Sequence, residues 1–163
     1  MFALTSGVPA LVAARDESDT TLSDAVQTIF PLDERAFLEW NGLTLPLNYK
    51  YDISLMLEDI VDMVLAIRNT AAGQLQVDWP SSGFPFHWTI KWNASEIEVH
   101  AQPRHEPGAV DLKGREWIRV DRGSFLEAWQ ALLRAVLSCL EAVGYNSLQI
   151  NALTRMRTAA SPD

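Results

Sequence analysis

The chain of 163 residues has a single cysteine, Cys139, so it can form no internal disulfide and no zinc site built from cysteine. No apolar run approaches the roughly 20 residues a membrane-spanning helix needs. Basic residues are scarce: 13 Lys and Arg stand against 21 Asp and Glu, for a net charge of −8. That balance argues against nucleic acid or an anionic membrane as a partner. The common catalytic signatures are missing too. There is no phosphate-binding glycine loop, no HExxH, no EF-hand loop and no GxSxG elbow, and no pattern calls for a cofactor. Residues Met1–Ala14 are apolar but lack a basic lead-in, so they read poorly as a signal peptide. With one cysteine, the expected setting is a reducing cytoplasm.

What is present is a folding chain with 48% hydrophobic residues, six tryptophans and an uneven charge. Met1–Asp62 carries eleven acids and three bases; Met63–Asp163 carries ten of each. The whole excess of negative charge therefore lies in the first two-fifths, where it would serve solubility or steer a basic partner.

Residues 1–35 show no consistent period. Val8–Ala14 suits a strand, and Leu22–Phe30 suits a short helix or strand closed by Pro31. Phe37-Leu38-Glu39-Trp40 and Leu43-Thr44-Leu45 then flank Asn41-Gly42, the strongest short-range hairpin signal, because a type I′ turn needs positive φ at both central residues. Pro46 cannot donate to a ladder, which puts its strand at an edge or a bulge. Asp52–Asn69 reads as a largely buried helix, capped by Asp52 or Ser54, with Glu58, Asp59 and Asp62 on its wet face.

Three period-two segments follow: Leu75-Val77-Trp79, Phe86-Trp88-Ile90-Trp92 and Ile97-Val99-Ala101. A fourth strand is expected over Arg115–Arg122, with Trp117 and Arg119 on the polar side. Ser124 and Glu127 suggest a capping box for a long helix ending in a Schellman closure at Gly144-Tyr145. Leu148–Met156 allows one more short element, and 157–163 reads as a disordered tail.

The expected fold is α+β, one domain over residues 1–163. A single antiparallel β-sheet, made of the meander plus the N-terminal hairpin, carries two long helices packed on one face. Its other face is polar and wet.

Three sets of residues are candidates for function. If Asn93-Ala94 is a two-residue turn, Lys91 opposes Glu96, Thr89 opposes Glu98, and His87 opposes His100. His87, His100 and Glu98 could then hold a zinc-like ion or act as an acid–base pair; the alternative is a solvated face that happens to hold two histidines. His105 reads as a loop residue, Cys139 as a small buried hydrophobe, and the sequon Asn93-Ala94-Ser95 as chance. Trp40, Trp117 and Arg119 have the composition of a protein-binding surface, and Glu58, Asp59 and Asp62 could meet a basic partner. The alternatives are core packing and ordinary solvation. A Trp-lined pocket for a small ligand also fits the composition.

The C-terminal third, with His87-Trp88-Thr89-Ile90-Lys91-Trp92, then Glu116-Trp117-Ile118-Arg119-Val120, then Ser124-Phe125-Leu126-Glu127-Ala128-Trp129 opening a long helix, resembles in general character the small acidic immunity proteins of bacterial polymorphic toxin systems. The resemblance spans about 60 residues and carries no diagnostic motif. It implies a non-catalytic cytoplasmic protein that binds a cognate toxin with a basic surface and occludes it.

Overall fold

The N-terminal hairpin is closed off from the rest of the chain by its own edges, and this decides the architecture. A computed structural model describes residues 1–7, 9–10, 14–104 and 110–162. The hairpin is β2 (Arg35–Trp40) and β3 (Leu43–Asn48), joined by Asn41 (φ 47°) and Gly42 (φ 79°) as the turn chemistry requires. Pro46 lies in β3, an edge strand, as the missing donor demands. The far side of β2 is taken by β1 (Phe2–Thr5), whose Phe2 and Leu4 alternate inward on a short strand the sequence reading left unassigned.

With one edge lacking a donor and the other occupied, the hairpin cannot extend the meander's ladder. The expected single sheet is therefore two: β1-β2-β3, and β4-β5-β6-β7 from Gly73–Asp78, Phe86–Trp92, Glu96–Pro103 and Trp117–Asp121. The sheets meet through side chains instead. Trp40 Nε1 donates to Arg115 O at 2.6 Å, and Asn41 Nδ2 donates to Trp117 O at 2.7 Å.

Four helices replace the expected two: α1 (Leu22–Ile29), α2 (Ser54–Asn69), α3 (Arg122–Ala142) and α4 (Ala152–Ala160). The segment 22–30, open between helix and strand, is helical because Thr21 caps it, accepting from Asp24 N at 3.0 Å. Neither Asp52 nor Ser54 caps α2. A π-helical turn, Tyr49–Ile53, precedes it, and Asp52 turns inward to accept from Asn48 N at 2.7 Å and from the Ser81 hydroxyl. Ser54 Oγ donates back to Lys50 O at 2.6 Å.

Helix α3 starts earlier than the capping box suggested. Asp121 is its cap, accepting from Ser124 N at 2.8 Å, while Glu127 pairs with Arg134. The Schellman closure is present, with Tyr145 N donating to Leu140 O at 3.1 Å and Gly144 at φ 97°. The hydrogen bonds from Ser124 hold the Asp121 carboxyl below the ordinary aspartate range. A lowered acid stabilises the fold above its unfolded pKa and loses that contribution as pH falls through the folded value. Asp121→Ala should therefore lower the melting temperature at pH 7, and the gap to wild type should close below about pH 4; a gap independent of pH would remove the charge from the cap's action.

Residues 157–160, expected in a loose tail, form the last turn of α4. The carbonyls at this helix end are tied down from two other helices: Arg68 donates to Thr158 O at 2.7 Å, and Gln130 Nε2 donates to Ser161 O, just past the last turn, at 2.9 Å. Cations and amides at a helix C-terminus satisfy the orphan carbonyls there and complement the dipole.

The inner faces of both sheets and all four helices bury one continuous apolar cluster. At its centre Trp79 meets Trp88 edge-on at 5.1 Å between ring centroids, Trp129 stacks on Trp79 at 5.9 Å, and Trp40 lies 5.1 Å from Trp88. The indoles fill this space themselves, so they constitute core and not the wall of a ligand pocket. Among the described residues, no helix is long and apolar enough to cross a membrane. The strand expected over Val8–Ala14 lies largely outside the described residues, as does His105.

Candidate binding surface

The register of β5 on β6 sets which side chains share the open face. A one-residue slip would mix apolar and polar faces, and none occurs. The pairing is nonetheless two residues from the expected one: Trp92 faces Ile97, Lys91 faces Glu98, Thr89 faces His100 and His87 faces Gln102. The cause is Asn93, whose side-chain carbonyl accepts from Ser95 N at 2.9 Å and Glu96 N at 3.0 Å while its own N–H donates to Glu96 O. This Asx turn makes a longer loop than two residues. Because a strand has period two, the shift keeps every side chain on its expected face and changes only its neighbours.

The new neighbours form rows across the sheet. Lys91, Glu98 and Arg119 make one; Thr89, His100 and Trp117 make the next. Arg119 Nη2 lies 2.9 Å from Glu98 Oε2, and its Nε lies 3.6 Å from Glu96 Oε2. Lys91 and Asn93 join these three around an open dish of about 210 Å³. His100 stacks flat against Trp117, centroids 4.1 Å apart and planes 13° from parallel. Trp117 keeps 53% of its surface exposed on this otherwise polar face.

This geometry breaks the proposed histidine pair. His87 and His100 do not oppose each other. His87 Nδ1 lies 2.6 Å from Asp78 Oδ1, His100 is stacked on Trp117, and Glu98 holds Arg119. Among the described residues, no three His, Cys, Asp or Glu side chains gather as a metal would require. The turn chemistry of Asn93 was the missed signal; counted as an Asx turn, it would have paired His100 with Thr89.

The remaining candidates divide. Trp117 and Arg119 lie on the open face as expected. Trp40 does not: it is 1% exposed, in the core, and its apolar ring packs there while its N–H reaches Arg115. Glu58, Asp59 and Asp62 do lie along the outward side of α2, but Arg155 of α4 reaches two of them. It forms an ion pair with Asp62 and lines a small cleft with Glu58. Cys139 is half-buried, and burial followed by the Glu34 charge raises its thiol pKa, which keeps it protonated and unreactive at neutral pH.

Asp59 has no hydrogen bond or ion pair among the described residues. Burial, then Asp62, then Glu58 raise its pKa. A raised acid is a liability when ionised; the liability shrinks as pH falls through the folded pKa and is gone below the unfolded one. Asp59→Asn is therefore expected to raise the melting temperature at pH 7 and to leave it unchanged at pH 3. A loss of stability at neutral pH would mean that the carboxylate has a supporting partner.

No family model matches the chain, and no curated protein or solved structure matches it.

Proposed function

We propose that the chain is a non-catalytic protein-binding module of the cytoplasm, acting as an immunity protein that binds a cognate toxin with a basic surface and occludes it. The observation that carries this reading is Trp117, half-exposed on the edge strand β7 of an otherwise polar sheet face, held flat by His100 and bordered by Arg119 and its two glutamates. A large aromatic fixed in place on a wet face contributes buried area to a complex at little entropic cost, and the mixed charges around it set orientation. The excess of acid in the first 62 residues supports a basic partner. Occlusion needs only surface complementarity, with carboxylates meeting the cations by which a toxin grips its own substrate.

The test is co-expression with the product of the gene immediately upstream, which this reading expects to be a large secreted protein with a variable C-terminal domain. Wild-type chain should restore growth and co-purify with that domain. Trp117→Ala should weaken the complex by about 2 kcal/mol, some thirty-fold in Kd, while the free protein melts within about 2 °C of wild type. Failure of the wild-type chain both to protect and to bind would overturn the reading.

A further inference from the structure

The four-stranded sheet has one edge, the free side of β4, to which no other described segment is hydrogen-bonded. Trp79 N donates to Phe86 O at 3.1 Å, so Trp79 belongs to a hydrogen-bonded pair with β5. Alternation along an antiparallel strand then turns the amides and carbonyls of Gln74, Gln76 and Asp78 away from β5, toward the free side of β4. No hydrogen bond meets them there among the described residues. Two of the other sheet edges are managed: β3 carries Pro46, and the Trp117 carbonyl of β7 is capped by Asn41. Natural sheets blunt their edges in such ways, and an open one is a ready template for another strand.

Beside this edge runs a groove of about 320 Å³ between α2 and β4. Met63, Leu75 and Val77 give it apolar walls, and Asp59, Asp62 and Asp78 give it charge. Arg155 engages Asp62, and His87 engages Asp78. Asp59 alone has no counter-charge among the described residues.

We propose that the β4 edge and its groove receive an extended segment of a partner protein, carrying an apolar and a basic residue two positions apart and so on one face, which adds to the sheet as a fifth strand. Main-chain hydrogen bonds to Gln74, Gln76 and Asp78 supply the pairing, an apolar side chain enters between Met63 and Leu75, and a lysine or arginine meets Asp59. Charge selects this occupant over a second copy of the chain. β4 contains no basic residue, so the β4 of a second copy offers no cation to Asp59. The inference rests on the partner being a protein, as above, but places a distinct contact at the sheet's edge.

The probe is a blocked peptide of about eight residues in which valine and lysine take turns at every second position with threonine between them, titrated into the intact protein with amide exchange read by NMR. Slowed exchange at Gln74, Gln76 and Asp78 is expected. Gln76→Pro deletes an outward amide without touching the β5 ladder, as Pro46 does in β3, and should weaken binding at least ~10-fold. Asp59→Asn should weaken it several-fold. The same peptide N-methylated on alternate residues keeps its charge and loses its ladder; it should not bind, which tests the idea independently of any variant's folding. Equal binding by the methylated peptide, or by Gln76→Pro, would reduce the effect to bulk charge and overturn the proposal. So would a wild-type dimer in sedimentation that Gln76→Pro abolishes, since the edge would then belong to a second copy. If Gln76→Pro leaves the toxin complex intact while Trp117→Ala disrupts it, the edge contact falls and the sheet-face reading stands.

Discussion

Trp88→Ala is expected to cost about 3–5 kcal/mol, the range for removing a large aromatic from a packed core. Trp88 is fully buried and touches Trp40 of one sheet, Trp79 and Phe84 of the loop region, and Trp129 of α3. It joins the two sheets and the long helix at a single point, so the cavity left behind cannot be closed by moving one neighbour. Domains are stable by only about 5–15 kcal/mol, and such a loss removes a large share of that margin. Denaturant midpoints with an unchanged m-value measure it directly. Trp88→Phe, which keeps a ring in place, should cost clearly less. A loss under about 1 kcal/mol for the alanine variant would mean that the two sheets are not packed through this residue.

The second large effect concerns Asp52, an aspartate only 7% exposed. It accepts from the Asn48 amide and the Ser81 hydroxyl, and Ser81 Oγ in turn accepts from Gly83 N at 3.0 Å. This small network ties the π-helical entry of α2 to the loop between β4 and β5. Asp52→Ala leaves buried donors without an acceptor and should cost about 3 kcal/mol. Gly83 presses against the same carboxylate: a Cβ there would collide with both Asp52 side-chain oxygens. Gly83→Val is therefore expected to destabilise by displacing Asp52, and the two effects should not add. In a double-mutant cycle, Gly83→Val should cost at least about 1 kcal/mol less in the Asp52→Ala background. Strict additivity would show that the glycine is required for some other reason.

The expected Asp52 cap of α2 fails for the same reason that the buried carboxylate matters. Cap preference is a local rule, worth about 1 kcal/mol, and the Asn48 amide and the distant Ser81 hydroxyl compete for the same oxygens. Ser124 and Glu127 tell a similar story at α3, where Asp121 captures Ser124 and Arg134 takes Glu127. At α4, nothing in residues 157–160 announces helix on its own. Arg68 and Gln130, far away in sequence, hold the carbonyls that end it. Arg155, carried on that helix, then changes the acidic face of α2, so the partner surface read from Glu58, Asp59 and Asp62 was only partly legible without α4.

Sequence alone determined the alternating faces of the meander strands, the Asn41-Gly42 hairpin, the helical cores of α2 and α3, the Schellman stop at Gly144, and the polar face bearing Trp117 and Arg119. Each follows from side-chain period or from a turn's demand on φ, both set within a few neighbouring residues. Tertiary structure decided the rest: two sheets in place of one, the inward turn of Trp40 and Asp52, and the docking of α4. These depend on which backbone groups remain free once other segments have paired, a competition that no local stretch of chain contains.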